Sequence, residues 1–434
     1  MRTRDTLNFN ADGVLTVGGV TAPALAKRFG TPLYVLDEAH VRSMCRAFTA
    51  PLKKLYPDHM VCYASKALSA TAVYRIVASE GLGADVVTGG ELYTALRAGV
   101  DPKTVIFHGN NKSADEIAYA VRAGVYALAV DAEDEVELIA DAVKKQGLPP
   151  QGVTVRVNPG IEAHTHHYIQ TATPSSKFGF ALDGGAALSA VKKIRATEGL
   201  RLLGLNAHIG SQIFDDKPYA LLVEKLLAFV KTNDVALEVL DIGGGFGIRS
   251  TDEDAPKDPG LFVSTFVKAL KEGLRVHNLP APRLIIEPGR SIVAEAGLTL
   301  YTVGAVKEIA GIKKYVAVDG GMFDNPRYVL YQAKYSATHS ILKKPGHDEI
   351  VTIAGKCCES GDVLIEGISL PKCERGDLLA VFSTGAYNYS MSSHYNRNLV
   401  PPMVLVKDGK ADYIVKPESY EDLVRHDAVP EWLA

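Results

Sequence analysis

Lys66, His208, Glu287 and the glycines at 243–245 each lie just after a short apolar run of the sequence. The run before Lys66, residues 61–64, is typical of a buried strand. We therefore expect its amine to be held near the interior, where burial favours the neutral form that attacks a carbonyl group. Most lysines are solvated surface charges, so this prediction depends on the other residues in equivalent positions.

Gly243, Gly244 and Gly245 form the most distinctive of the other segments. Because glycine has no side chain, the consecutive N–H groups of such a run can close around a phosphate. It is not the dinucleotide-binding fingerprint, because Ile248 stands where the third glycine of that motif would fall. By itself the run is a weak signal for phosphate.

Glu287 lies close to Arg290, and His208 lies close to Ser211. A carboxylate facing a pyridine nitrogen keeps that nitrogen protonated, and a protonated ring is a stronger electron acceptor for a neighbouring carbanion. An ordinary ion pair with Arg290 is the alternative. His208 offers an imidazole face to a flat ring and Ser211 a hydroxyl to its phosphate, although a strand-end histidine is often only a satisfied polar residue.

Eight apolar runs separated by amphipathic segments would position these residues. The runs are 61–64, 84–87, 104–107, 125–130, 153–157, 203–207, 239–242 and 284–286. This alternation predicts a (β/α)8 TIM barrel, an α/β fold whose active site lies at the C-terminal ends of the strands. His108, Asp131 and Asn158 also follow such runs, where contact with water explains a polar residue equally well.

Two helices are predicted in detail. Ser113 and Glu116 form a capping box, and Gly124 stands at the exit of that helix. A second helix is expected from about residue 133 to residue 146, followed by Gly147.

Beyond about residue 298 the pattern becomes that of an all-β domain. Strand-like runs occur at 315–318, 350–353, 378–382, 404–406 and 413–415. Hairpin-turn signals occur at residues 12–13 and 408–409. We predict a barrel domain over 38–297 and a β sandwich or barrel domain formed by 1–37 and 298–434.

The composition indicates small-molecule chemistry. With 434 residues the chain is long enough for two cores, and its net charge of −3, without a dense Lys/Arg block, gives no footprint for nucleic acid or an anionic membrane surface. No apolar signal core or membrane span is visible, so we expect a cytoplasmic protein. The five cysteines are expected to be reduced thiols.

His164, His166 and His167 are close enough in sequence to raise the question of a metal site. No cysteine or acidic residue accompanies them at a zinc-site spacing, so we predict no metal.

Together, the four segments at 63–68, 208–212, 243–247 and 287–290 resemble the fold-type III pyridoxal-phosphate enzymes, the alanine-racemase-like barrel decarboxylases. Within that group, segments 158–160 with 176–180, 324–331 and 357–362 resemble the diaminopimelate decarboxylases. The resemblance covers the whole chain.

The resemblance implies the cofactor pyridoxal 5'-phosphate and a role for each matching residue. Lys66 would bind the cofactor covalently, His208 would stack on its ring and Glu287 would meet the pyridine nitrogen. The remaining cofactor-binding residues would be Ser211, Gly243, Gly244, Gly245, Gly289, Arg290 and Tyr387. The substrate-binding residues would be Arg290, Arg327, Tyr331, Glu359 and Tyr387, and a guanidinium fork suits the distal carboxylate of the substrate.

The resemblance also implies a reaction. Family members use the cysteine that matches Cys358 as a proton donor after CO2 is lost, whereas Cys357 is the more probable structural thiol. The implied substrate is meso-2,6-diaminopimelate, which loses the carboxylate at its D-centre to give L-lysine in the last step of lysine biosynthesis. The segment with Cys358 reaches the site from a partner subunit, which implies a head-to-tail homodimer with shared active sites.

Three other functions stay open. An amino-acid racemase of this fold would pair the pyridine nitrogen with Arg, which Glu287 argues against. A decarboxylase for ornithine, arginine or a carrier-linked amino acid would differ at the distal pocket, where Glu359 needs an ammonium partner. A non-catalytic pyridoxal-phosphate carrier would have no substrate clamp and no β domain.

Overall fold

The computed structural model describes residue 4 and residues 6–161, 176–342 and 348–433. Its contacts divide the chain into two compact units. The barrel unit consists of Val41–Ile248 and Ala255–Ile292, and the β unit consists of Met1–His40, Arg249–Asp254 and Val293–Ala434. Segment 249–254 is held within the β unit because the carbonyl oxygen of Arg249 accepts a hydrogen bond from Ser383 Oγ at 3.0 Å.

The barrel unit contains a closed barrel of eight parallel strands. In chain order they are His59–Ala64, Gly83–Val86, Val105–Phe107, Ala127–Val130, Gln151–Asn158, Leu200–Asn206, Val239–Asp241 and Arg283–Ile286. Each strand pairs in parallel with the next, and the eighth pairs with the first through Leu284 opposite His59. The short strand Phe180–Ala181 pairs with the fifth barrel strand. The (β/α)8 prediction is confirmed.

Helices precede, separate and follow the barrel strands. They are Glu38–Leu55, Thr71–Ser79, Gly89–Ala98, Ala114–Ala123, Asp134–Gln146, Ala186–Ala196, Lys217–Thr232, Pro259–His277 and Arg290–Val293, with 3-10 turns at Ser65–Ala67 and Pro102–Thr104. The predicted capping box of Ser113 and Glu116 is present, and Gly124 ends that helix in the left-handed conformation. In the next helix Val136, Ile139 and Val143 are buried, as their helical spacing predicts.

The β unit contains a small and a large sheet. The small sheet joins Leu7–Phe9, Leu15–Val17 and Val20–Thr21. The large sheet has the order Val363–Pro371, Asp348–Ala354, Lys313–Val318, Gly297–Ile309, Leu33–Asp37, Met403–Lys407 and Lys410–Val415; Leu378–Phe382 also pairs with Gly297–Ile309 and with Ala337–His339. The helices are Ala22–Phe29, Arg327–Tyr331 and Tyr420–Val424, with 3-10 turns at Tyr389–Met391, Tyr395–Arg397 and Glu431–Leu433.

The N-terminal segment is part of the β unit, as predicted. Strand Leu33–Asp37 is buried throughout and lies between Gly297–Ile309 and Met403–Lys407. Leu33 and Val35 share one hydrophobic core with Leu298 and Val404. Alternate side chains of this strand point to opposite faces, so a slip by one residue would exchange Leu33 and Val35 with Tyr34 and Leu36 and disturb the packing on both faces.

None of the described helices combines the length and the apolar character needed to cross a bilayer.

Candidate active site

Lys66 lies in the 3-10 turn Ser65–Ala67, directly after the first barrel strand. Ser65 and Ala67 are buried, but the Lys66 side chain is exposed. The expectation that Lys66 itself is buried was therefore wrong, because the turn carries the residue off the end of the strand. Its charge acts on the Asp85 and His208 side chains, so the amine is at the C-terminal end of the barrel.

The three glycines at 243–245 follow the seventh barrel strand in a place with no room for side chains. A Cβ on Gly243 would lie 2.7 Å from the carbonyl oxygen of Ala207, and a Cβ on Gly244 would collide with the carbonyl oxygen of Glu287. The Gly243 N–H donates to Asp241 Oδ1 at 2.9 Å and the Gly244 N–H to His208 Nδ1 at 3.3 Å. These two N–H groups thus have partners inside the protein, and their glycines serve by allowing close approach of the backbone.

Tyr219 hydrogen-bonds to this glycine loop and packs against it. Its hydroxyl donates to the Gly244 carbonyl oxygen at 2.8 Å, and its ring stacks on Phe246 with centroids 5.0 Å apart. Tyr219 is fully buried.

Replacing Tyr219 with Phe should lower the free energy of unfolding by about 1–3 kcal/mol, because the Gly244 carbonyl oxygen would stay buried without its donor. Urea unfolding of the variant measures this loss. Tyr93→Phe is the matched control, since Tyr93 is 61% exposed. Equal midpoints for both variants would show that the hydroxyl does not support the loop.

Ser211 and Arg290 lie together beside the glycine loop. Arg290 follows the eighth barrel strand, and its Nη2 lies 3.1 Å from Ser211 Oγ, which follows the sixth strand. A guanidinium and a hydroxyl are both donors that phosphate oxygens prefer. Ser211 and Arg290, both expected to contact the cofactor, are therefore neighbours within the barrel unit.

Glu287 is buried at the end of the eighth strand and bonds to His108, with 2.6 Å between Oε1 and Nε2. Burial raises the pKa of Glu287, but the charge and hydrogen bond of His108 overcome this effect and hold the pKa at about 2. Burial also opposes protonation of His108, yet the charges of Glu287 and Asp85 raise its pKa above the ordinary value. Both shifts favour an imidazolium on His108 and a carboxylate on Glu287.

Sequence reasoning missed three charged residues at this end of the barrel: Asp85, Arg156 and Asp241. Each interrupts an apolar run of its strand, and a charge within a buried strand is the signal that could have found them. Asp85 Oδ1 lies 3.9 Å from His108 Nε2, and Arg156 Nε lies 3.6 Å from Asp131 Oδ1. Water contact explains neither His108 nor Asp131, because both are buried.

His208 is neutral in the structure. Burial, followed by the positive charges of Lys66 and Arg156, lowers its pKa from 6.5 to about 3. Its Nδ1 accepts the Gly244 N–H, so the proton of the neutral ring lies on Nε2. A neutral imidazole is the form that suits stacking against a protonated ring.

This shift gives a pH dependence of stability. The pKa of His208 falls on folding, so its stabilising contribution is complete above about pH 6.5 and declines as the pH falls towards 3. The cofactor-free protein should lose up to about 1.4 kcal/mol per pH unit from this group below pH 6.5. His208→Gln should be less sensitive to acid when urea midpoints at pH 7 and pH 5 are compared. The same acid sensitivity in both proteins would contradict the assignment.

In the β unit, Arg327 and Tyr387 lie together with Tyr331. Arg327 is buried, and its Cζ lies 4.9 Å from the centroid of the Tyr331 ring and 5.2 Å from that of Tyr387. Tyr387 has a φ of 64°, a left-handed conformation that is rare for a residue with a large side chain. A cation between two aromatic faces is held in place and points its fork in one direction.

Cys358 and Glu359 are both exposed, on a turn of the β unit. The Cys358 N–H donates to Asn396 Oδ1 at 2.8 Å, and Asn396 has a φ of 52°. Beside it, burial and the neighbouring Asp362 raise the pKa of Cys357 to about 12, so this thiol stays neutral. None of the five cysteines forms a disulfide bond, as the expectation of reduced thiols requires.

His164, His166 and His167 lie outside the described residues. The atoms of Asp85, His108 and Glu287 that could bind a metal lie within 4.8 Å of one another, and the hydrogen bond between His108 and Glu287 accounts for the proximity of those two. The absence of a metal stays a prediction.

The residues of the barrel unit fit pyridoxal phosphate. Its aldehyde is matched by an amine, its ring face by a neutral imidazole and its ring nitrogen by a buried carboxylate. Its phosphate is matched by a backbone cradle with no room for Cβ atoms and by a serine–arginine pair. Residues 39–294 match the family model described as the pyridoxal binding domain of pyridoxal-dependent decarboxylases. The fold and site thus define a pyridoxal-phosphate-dependent decarboxylase, a carboxy-lyase.

Comparison with individual relatives shows to which family of pyridoxal-phosphate-dependent decarboxylases the chain belongs. The chain is 46% identical over 424 residues to the diaminopimelate decarboxylase of Bacillus subtilis, covering 96% of each protein. The crystal structure of M. jannaschii diaminopimelate decarboxylase with L-lysine aligns with a TM-score of 0.93 and 34% identity over 99% of both chains. The chain belongs to the diaminopimelate decarboxylase family. A lysine/ornithine decarboxylase from Vibrio vulnificus aligns less well, with a TM-score of 0.75 and 26% identity over 89% of this chain and 97% of that one.

Proposed function

We propose that the protein removes the carboxylate at the D-centre of meso-2,6-diaminopimelate as CO2 and releases L-lysine, the last step of lysine biosynthesis. The observation that carries this proposal is the buried Arg327 between Tyr331 and Tyr387, a fixed guanidinium suited to a distal carboxylate. The identity of 42–46% to diaminopimelate decarboxylases, over nearly the whole chain, supports the same substrate.

The cofactor is proposed to be held by residues of the barrel unit. When bound, pyridoxal phosphate accepts the electrons that departing CO2 leaves on the α-carbon of the substrate. Lys66 would supply the amine that holds the cofactor covalently. His208 stacks on the ring, and Glu287 keeps the ring nitrogen protonated. The phosphate contacts are assigned to Ser211, Gly245, Gly289 and Arg290. Gly243 and Gly244 are assigned to the cofactor site through close approach of their backbone rather than through their N–H groups, and Tyr387 is a further cofactor contact.

The substrate is proposed to be oriented by its distal half. Arg290, Arg327 and Tyr331 bind the distal carboxylate, and Glu359 binds the distal ammonium. Binding energy from this non-reacting end positions the carboxylate that is lost. Cys358 then delivers a proton to the α-carbon, and its exposed thiol is accessible for that transfer.

Two rival activities have weaker support. A racemase on this fold would weaken the electron-accepting ring, whereas the ionised Glu287 favours a protonated nitrogen. A decarboxylase for ornithine, arginine or a carrier-linked amino acid has no partner for Glu359 and Arg327 together, because its substrate lacks a second amino-acid centre.

The test is CO2 release and amino-acid formation by the purified holoenzyme with meso-diaminopimelate, lysine, ornithine and arginine. Turnover with meso-diaminopimelate alone is the expected result. Turnover only with another amino acid would keep the cofactor assignment and overturn those of Arg327 and Glu359. A cofactor band without turnover on any substrate would indicate a carrier.

We further propose a head-to-tail homodimer in which Cys358 and Glu359 serve the active site of the partner subunit. Their exposure in the single chain supports this role. Mixing inactive Lys66→Ala and Cys358→Ala subunits should restore about a quarter of wild-type activity after random reassortment, because half the dimers would carry one intact site. No recovery in a mixture shown to contain mixed dimers would contradict shared sites.

A further inference from the structure

A buried set of acid and base groups surrounds Glu287 at the end of the barrel. His108 Nε2 lies 2.6 Å from Glu287 Oε1 and 3.9 Å from Asp85 Oδ1. Among the described residues, Asp85 Oδ1 has no hydrogen-bond partner. Nε2 of His108 thus faces two buried carboxyl groups, and of these two it hydrogen-bonds only to Glu287.

Asp241 completes this set from the seventh strand. It is fully buried, and burial followed by the charge of Glu287 raises its pKa well above the ordinary value. This shift favours the protonated form of Asp241, and a protonated carboxyl can donate a hydrogen bond to the carboxylate of Glu287. The surroundings of Glu287 thus favour a cation on one side and a neutral acid on the other.

The charges decide which group holds Glu287 ionised. A lone buried carboxylate would take up a proton, because burial disfavours its charged form. Among the described residues, Arg156, His208 and Cys62 also act on His108 or Glu287. Arg156 disfavours the cation on His108, the neutral form of His208 is favoured, and burial keeps the Cys62 thiol neutral. His108 is left as the cation in direct contact with Glu287.

We propose that His108 is a positioning residue for the cofactor: it acts through Glu287, fixing that carboxylate in its ionised form and aiming it at the ring nitrogen. This inference rests on the proposed role of Glu287. Without the cation at position 108, Glu287 would keep the proton, the ring nitrogen would become neutral and the ring would accept electrons less well. His108 itself transfers no proton to the substrate.

The test uses holoenzyme loaded with pyridoxal phosphate labelled with 15N in the ring, because the ring-nitrogen chemical shift reports its protonation directly. Wild type should give the shift of a protonated nitrogen. His108→Gln, which keeps a hydrogen-bond donor but no charge, should move the shift towards that of a neutral pyridine and lower kcat about ten- to a hundredfold, the usual cost of losing an outer partner of a functional ligand. His426→Gln, at an exposed histidine, is the matched control.

The outcomes separate the two inferences. If Glu287→Gln gives a neutral ring nitrogen while His108→Gln keeps the wild-type shift, His108 has no such role and the proposed function stands. If Glu287→Gln leaves the nitrogen protonated, the role of Glu287 fails and that of His108 with it. Should His108→Gln not fold, the imidazole 15N spectrum of the wild-type holoenzyme decides, because a neutral His108 at pH 7 overturns the proposal.

Discussion

Lys66→Ala should abolish both the covalent attachment of pyridoxal phosphate and the decarboxylase activity. The turn Ser65–Ala67 presents this amine at the C-terminal end of the barrel, and a methyl side chain cannot form the covalent bond. We expect turnover to fall by at least about a thousandfold, as for other residues that bond covalently to a reactant. The visible absorption band of the attached cofactor should disappear with it.

The measurement is the absorption spectrum and the rate of CO2 release from meso-diaminopimelate. Lys54→Ala, at an exposed lysine on the helix Glu38–Leu55, serves as the matched control and should resemble wild type in both. A variant of Lys66 that retains the band would assign the covalent bond to another lysine.

Cys358→Ala should lower kcat by about 10²–10⁴-fold, the usual contribution of a positioned proton donor, while KM changes far less. The reason is that Cys358 takes part in the protonation step and not in recognition of the distal end of the substrate. Steady-state kinetics with meso-diaminopimelate measure both constants.

Cys357→Ala, at the preceding residue, is the matched control. Burial and Asp362 keep the Cys357 thiol neutral, with a pKa of about 12, so its loss should change kcat only slightly. Unchanged turnover in Cys358→Ala would remove this residue from the mechanism, and an equal loss in both variants would indicate damage to the turn instead.

The fold followed from the sequence because each prediction depended on a local pattern. Eight apolar runs gave eight strands, and Ser113, Glu116 and Gly124 marked the ends of a helix where the structure has them. Parallel strands buried on both faces produce such runs, and no tertiary contact is needed to recognise them.

The candidate site was only partly predictable, for a physical reason. Glycine runs and strand-end residues can be read directly, but which side chains meet depends on strands far apart in the chain. His108 and Glu287 are 179 residues apart, and their hydrogen bond follows from closure of the barrel. The exposure of Lys66 depends on a single 3-10 turn, and the N–H partners of Gly243 and Gly244 depend on Asp241 and His208.

Strand Leu33–Asp37 has a consequence for synthesis of the protein. Its neighbours are Gly297–Ile309 and Met403–Lys407, so the ribosome makes this wholly buried strand long before either partner exists. At usual elongation rates this strand exists without either partner for roughly tens of seconds. During that time an unpaired strand is a template for pairing with other chains. We therefore expect the nascent chain to need a chaperone at its N-terminal end, and a circular permutant that makes this strand next to its partners to need less.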